Sequence, residues 1–245
     1  MTKKTGKRTG VILAAGFGSR LAGVDDDTRL KPLTSVNGIP LIYRTIQSLE
    51  TAGCSKVVIV LGFGFEEIKK DILGSYEGQT PIVFAHNEQY KLSNGISVLT
   101  AESHVEGDFI LTMADHILSD KMMRLAKDHI PPKEGATLLV DYKVDEIFDM
   151  DDATKVYSEA GKIKSIGKTI TNYNCIDTGV FVCTHTLMNE IRKVYDRKGD
   201  ASLSDGIQAL ADRGNMHTLD IGEAFWQDVD TPEMLQHAEK MLQQE

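Results

Sequence analysis

Two glycines, an arginine and a lysine near the start of the chain have the types and spacing to hold a phosphorylated ligand. The apolar run Val11-Ile12-Leu13-Ala14-Ala15 ends in Gly16-Phe17-Gly18-Ser19-Arg20, and Lys31-Pro32-Leu33 follows. Glycines at positions 16 and 18 let backbone N–H groups come close to a triphosphate. Arg20 can fork onto phosphate oxygens. Lys31 adds a second positive charge for a phosphoryl group under attack. Two better-known phosphate loops do not fit. A dinucleotide fingerprint needs a third glycine where Leu21 stands, and no GxxxxGK run followed by Ser or Thr occurs anywhere in the chain.

Carboxylates supply the complementary chemistry. Asp115 follows the apolar run Phe109-Ile110-Leu111-Thr112-Met113. A carboxylate at the C-terminal end of a parallel strand points into the crevice where α/β sheets bind ligands. Asp228 and Asp230 lie two residues apart in an extended-looking segment, so they share one face. Carboxylates converging from distant parts of a chain suit Mg²⁺, which takes hard oxygen ligands and keeps waters and phosphate oxygens in its other positions. The acidic tip Asp25-Asp26-Asp27 and the group Asp149, Asp151 and Asp152 read instead as solvated loops.

These residues need a scaffold, and the hydrophobic pattern describes one. Strand-like runs at 11–15, 56–61, 81–85 and 108–113 alternate with helical patterns at 40–52, 66–73 (closed by Gly74), 94–103 and 119–128. Such alternation implies a parallel sheet covered on both faces. Beyond residue 135 strands dominate, at 136–142, 154–158, 162–166 and 178–184, with a hairpin turn at Glu159-Ala160-Gly161-Lys162; helices return at 187–195, 204–211 and 232–244. The expected fold is α/β, a Rossmann-like and mostly parallel (mixed) sheet flanked by helices. One domain spans 1–245, with a nucleotide-binding half over about 1–135 and an acceptor-binding half over about 136–245.

Bulk properties narrow the function. The 245 residues are 41% hydrophobic and 26% charged, which suits a globular protein with a sizeable core. A net charge of −9 gives no general electrostatic reason to bind nucleic acid or an anionic membrane. Cys54, Cys175 and Cys183 are scattered, against a disulfide framework or zinc site and in favour of a reducing compartment. Neither a signal peptide nor a membrane-spanning run is evident, so a cytoplasmic location is expected.

The string Leu13-Ala14-Ala15-Gly16, Gly18, Arg20-Leu21, followed by Lys31-Pro32-Leu33, resembles the signature of the nucleotidyltransferases that make nucleotide-diphospho-sugars and related CDP-alcohols. The resemblance continues through Asn94-Gly95-Ile96-Ser97, Met113-Ala114-Asp115-His116, Ala153-Thr154-Lys155-Val156, Ile166-Gly167-Lys168, Ile176-Asp177-Thr178-Gly179-Val180-Phe181 and Trp226-Gln227-Asp228-Val229-Asp230-Thr231-Pro232. Within the family the pattern is most similar to the cytidylyltransferases that use CTP and inositol-1-phosphate. The resemblance implies nucleotide contacts from Leu13, Ala14, Ala15, Gly16, Gly18, Ser19, Arg20 and Lys31, with Asn94, Gly95 and Ser97 near the base and ribose. Arg20 and Lys31 are the implied catalytic cations, and Asp115 and Asp230 the implied Mg²⁺ pair, with Asp228 assisting through water.

For a small phosphorylated acceptor it implies Lys168 first and Lys155 second as partners of the phosphate, and Asp177 for its hydroxyls. His116 orients Asp115 or touches the acceptor; a phosphate nucleophile is already anionic and needs no general base. In several relatives this domain is fused to a membrane-embedded transferase, so the product here is expected to pass to a separate membrane enzyme. A homodimer is one open assembly state. Choline phosphate, glycerol phosphate, a phosphonate, or a hexose-1-phosphate with UTP or dTTP are alternative substrates. A catalytically silent nucleotide-binding subunit is the alternative from another class.

Overall fold

The computed structural model describes residues 7–18 and 30–243. Ser19, Arg20 and the Asp25-Asp26-Asp27 tip lie outside the described residues. The first half contains β1 (Thr9–Ala14), the small hairpin of β2 (Ser35–Val36) and β3 (Ile39–Pro40), α1 (Leu41–Thr51), β4 (Lys56–Leu61), α2 (Phe65–Ser75), β5 (Ile82–His86), α3 (Gly95–Thr100), β6 (Phe109–Met113), β7 (His116–Leu118) and α4 (Asp120–Asp128). The second half adds β8 (Ala136–Asp141), β9 (Lys155–Glu159), β10 (Lys162–Gly167), β11 (Cys175–Cys183), α5 (Thr186–Lys198), α6 (Leu203–Ala211), β12 (Met216–Asp220), β13 (Trp226–Asp228) and α7 (Pro232–Met241).

One nine-stranded sheet, in the order β5-β4-β1-β6-β11-β8-β12-β10-β9, runs through both halves. β5, β4, β1 and β6 are parallel, whereas β11 runs antiparallel to both β6 and β8. The sheet is therefore mixed: parallel where helices connect the strands, antiparallel where β9 and β10 form a hairpin. That hairpin turns at Ala160 and Gly161, both at positive φ, as a two-residue turn requires.

Period-two alternation divides the core. Val11 and Leu13 pack on one face with Ile96 of α3, Leu187 and Ile191 of α5, and Ile207 and Leu210 of α6. Ile12 and Ala14 pack on the other with Ile42, Ile46 and Leu49 of α1, Ile68 and Ile72 of α2, and Met122 and Met123 of α4. A third, smaller cluster of Val36, Leu41, Ile117, Val229 and Ala238 lies under α7. No helix among the described residues is long and apolar enough to cross a membrane.

Several elements differ from the sequence-based expectation. Gly74 does not end its helix; α2 continues to Ser75, because buried Ile68 and Ile72 hold the helix and an exposed glycine costs only about 1 kcal/mol of propensity. The pattern at 94–103 breaks into α3 and a separate 3₁₀ turn, Glu102–His104. Strands β7 and β12 were not expected, and β13 only as part of an extended segment around Asp228. β7 and β13 have only three residues each, too short for a hydrophobic period to register.

Candidate active site

Three chain segments meet at the C-terminal ends of β1 and β6. Lys31 sits on a 3₁₀ turn, Lys31–Leu33, whose second residue is proline. Asp115 directly precedes β7. Asp230 follows β13, and the antiparallel ribbon of β13 and β7 sets Asp228 opposite His116. Val229 donates its N–H to the Asp115 carbonyl at 2.8 Å, which fixes the two acidic segments to one another. Gln227 and Val229 are buried, while Asp228 and Asp230 turn into the cavity.

The Lys31 ammonium lies 2.5 Å from Asp115 Oδ2 and 2.5 Å from Asp230 Oδ1. These partners stand 84 and 199 residues from it in the chain. His116 Nδ1 is 2.7 Å from Asp115 Oδ1. Burial opposes charge on Lys31, but Asp115 and Asp230 outweigh it and hold its pKa above the usual value. Burial likewise works to raise Asp115, yet the Lys31 charge and the His116 hydrogen bond keep its carboxyl well below the usual carboxylate range. At His116, burial is overcome by the bond to Asp115 and by the nearby charges of Asp115 and Asp228, so its pKa is raised. At Asp228 burial dominates and raises the pKa; His116 opposes this, and Asp230 and Asp115 reinforce it.

Two cavities open on either side of this cluster. One of about 400 Å³ is lined by Leu13, Ala14, Gly16, Phe17, Gly18 and Pro32, and reaches Lys31, Asp115 and Asp230. Gly18 has φ +64°, and a Cβ there would stand 2.4 Å from Lys31 Cβ, so only glycine lets the turn meet Lys31 this closely. The other cavity, about 270 Å³, lies between β11, β13, the 144–154 segment and α7. Its walls include His116, Asp152, Lys168, Asp177, Trp226, Asp228 and Asp230. Trp226 stacks on His116 with ring centroids 6.0 Å apart and donates its Nε1–H to Asp141 at 3.1 Å. Phe148 stacks on His237 of α7 with centroids 4.3 Å apart, joining the 144–154 segment to that helix over the cavity.

β11 is irregular between Asp177 and Phe181, and this serves the site. Gly179, at φ +74°, leaves the space that His116 fills; a Cβ there would stand 2.5 Å from His116 Nε2. Asp177 accepts the Gly179 N–H at 2.8 Å. Burial nevertheless pushes the Asp177 carboxyl up to about 6. Because the folded pKa lies above the unfolded one, the folded state binds more protons between pH 4 and 6, and stability falls as pH rises through that window. Asp177→Asn is therefore expected to stabilise the protein at pH 8 by about 1–3 kcal/mol. Its melting curve should converge with that of the wild type near pH 3. Thermal melts of both proteins across this range test it, and a constant difference at every pH would refute the burial effect.

The remaining expected residues divide. Lys168 lines the second cavity and pairs with Asp152 at 2.6 Å. Lys155 does not line it. Its ammonium donates to the carbonyls of Met150, Ala153 and Lys168, so it braces the cavity wall. Ala15 is buried and outside the first cavity; its carbonyl accepts the Phe63 N–H. Asn94 borders the second cavity, away from the glycine turn, and accepts the Leu203 N–H at 2.9 Å. Gly95 and Ser97 line neither cavity. A Cβ on Gly95 would stand 2.4 Å from the Ala201 carbonyl, and Ser97 bonds buried Asn87. Gly95 therefore serves packing of α3 on the start of α6, and Ser97 ties α3 to the segment after β5. Asp152, read from sequence as a solvated loop acid, instead offers an oxygen within 4.8 Å of those of Asp228 and Asp230. Asp141, Phe148 and His237 had no sequence signal beyond their residue types, whereas Trp226 opens the last string that carries the resemblance.

Known proteins resemble this chain in sequence and fold. The chain is 33% identical over 234 residues to the bifunctional IPC transferase and DIPP synthase of Aquifex aeolicus, covering 96% of this chain and 51% of that protein. It is 34% identical over 232 residues to the protein of the same name from Archaeoglobus fulgidus, covering 95% and 43%. The chain thus spans about half the length of the curated relatives it matches. The structure of the inositol-1-phosphate CTP transferase from T. maritima superposes with a TM-score of 0.83 and 26% identity, covering 97% of this chain and 98% of that one. The model of the MobA-like NTP transferase domain matches residues 10–148. That match takes in the glycine turn, Lys31 and Asp115 in one stretch of more than half the chain, and so this chain belongs to the MobA-like NTP transferase domain family.

Proposed function

We propose that this nucleotidyltransferase moves CMP from CTP to inositol-1-phosphate, giving CDP-inositol and pyrophosphate. One observation carries the reading. Two cavities flank a single Lys31–Asp115–Asp230 centre, in a chain that superposes nearly end to end on an inositol-1-phosphate CTP transferase. The cavity over the glycine turn takes the triphosphate, and the cavity beside Trp226 and Asp177 takes the acceptor.

An acceptor phosphate oxygen attacks the α-phosphorus in line. A new P–O bond forms, the bond to the bridging oxygen of the β-phosphate breaks, and pyrophosphate leaves with the electron pair. No proton need move, so His116 is assigned to orienting Asp115, which its Nδ1 contact suits. Lys168 and the hydrogen-bonding groups of the second cavity orient the acceptor. Lys31 stabilises charge on the α-phosphate, and Arg20 holds the pyrophosphate end. Catalysis is then mostly positioning and electrostatics.

The residues fit Mg²⁺. Asp115 and Asp230 already stabilise one cation, the Lys31 ammonium, and Asp152 and Asp228 bring further carboxylate oxygens alongside Asp230. Asp115 and Asp230 would hold the metal, with Asp228 and Asp152 in support. Bound there, Mg²⁺ supplies charge neutralisation for the phosphates of both substrates.

Pyrophosphate release with Mg²⁺ tests the assignment. CTP, UTP, dTTP, ATP and GTP are each paired with inositol-1-phosphate, choline phosphate, glycerol phosphate and glucose-1-phosphate. The CTP and inositol-1-phosphate pair should be fastest by at least about tenfold, the discrimination one or two missing contacts provide. A faster alternative pair replaces the substrate and keeps the mechanism. Binding of CTP without release in any pair favours a silent subunit.

A further inference from the structure

The tripeptide Gly-Phe-Gly occurs twice, at 16–18 after β1 and at 62–64 after β4. β1 and β4 are parallel neighbours, with Ala14 opposite Leu61, so the two turns lie side by side. The Phe63 N–H donates to the Ala15 carbonyl at 3.2 Å. Phe17 and Phe63 pack with ring centroids 5.1 Å apart, and Tyr90 meets Phe17 edge-on at 5.4 Å.

The glycines show what the pair of turns receives. A Cβ on Gly18 would stand 2.4 Å from Lys31 Cβ, and one on Gly64 would stand 2.4 Å from Leu30 Cδ2; both glycines are at positive φ. The first turn thus seats Lys31 and the second seats the residue before it. A Cβ on Gly62 would stand 2.4 Å from Tyr90 Cβ and 2.8 Å from the Ala15 carbonyl, so that glycine lets Tyr90 and the first turn close on the second. Phe63 does not line the cavity over the first turn. Phe17 is 47% and Phe63 36% exposed, unusual for paired phenylalanines that serve only a core.

We infer that Gly62-Phe63-Gly64 is a positioning element for triphosphate binding. Phe63 clips Phe17, the one side chain between two conformationally free glycines. The clip thereby orders the first turn and the Leu30–Lys31 segment before ligand arrives. Glycine loops lose the most freedom on ordering, and prior ordering strengthens binding without any new ligand contact. The inference rests on the first turn's being the triphosphate site.

The test compares affinities for CTP and for inorganic tripolyphosphate, which has no base or ribose, at fixed Mg²⁺. Phe63→Ala is expected to weaken both by the same factor, about three- to tenfold, the effect of losing an aromatic pair. Phe17→Ala should do likewise, and the double variant should bind no more weakly than either single one, because each ring acts through the other. Phe63→Tyr, which keeps the ring, should restore wild-type affinity. Thermal melts should change little, since both rings are on the surface. Three results overturn the clip: unchanged affinity in Phe63→Ala, loss of CTP affinity with tripolyphosphate affinity intact, or fully additive losses. A wild type that binds neither probe refutes the triphosphate site itself, and the clip falls with it.

Discussion

Lys31→Ala is expected to lower turnover by about a hundred- to a thousandfold, the range for removing one preorganised charge from a developing transition state. The structure gives the reason for so large an effect. Lys31 is 9% exposed, held by two carboxylates at 2.5 Å, and seated against Gly18, so its charge sits at one place and needs no reorganisation. The fold should persist, because the hydrophobic clusters on both faces of the sheet do not include it. Its removal leaves Asp115 and Asp230 facing each other without the intervening cation. Lys31→Arg keeps the charge but not the compact head, and should recover only part of the rate. Pyrophosphate-release kinetics beside near-ultraviolet circular dichroism separate the cases. A rate within tenfold of wild type, with the fold intact, would remove Lys31 from the catalytic centre.

Asp115→Asn should have the next largest effect. This carboxylate touches both Lys31 and His116, and its backbone carbonyl anchors Val229. The asparagine keeps the shape and the backbone bond while removing the charge. Turnover should fall by about a hundredfold or more, and half-maximal rate should need more Mg²⁺, as expected when one anionic ligand is lost. Asp230→Asn should behave alike. Asp228→Asn should cost much less, because no bond from Asp228 to Lys31 is seen; burial already raises its pKa. Rates measured against Mg²⁺ concentration give the ranking. Equal losses at positions 115 and 228 would contradict it.

Legibility from sequence followed how local each feature is. The glycine turn and Lys31 were readable because glycine placement and chemical type lie within one short stretch. The order of strands and helices was readable from period-two and helical patterns. The mixed character of the sheet came through in outline, while its order, with β11 inserted between β6 and β8, depends on pairing that no local pattern encodes. Asp152 was misread because an acid in a polar loop looks the same whether it faces water or a cavity. Lys155 and Gly95 show the converse case. Each stands in a functional-looking string, yet one ammonium is taken up by carbonyls and one glycine by close packing on Ala201. The second Gly-Phe-Gly turn was visible in the letters, but its role appears only when β1 and β4 lie side by side.

The wide separation of Lys31 and Asp230 also says something about synthesis. A ribosome releases Lys31 first and Asp230 only 199 residues later. Contacts so far apart close late in folding. A nascent or truncated polypeptide that stops before β13 can thus assemble the parallel strands yet lack a carboxylate of the centre. On the proposed reading, a polypeptide that stops there is expected to lack full turnover until the β13 segment has been made.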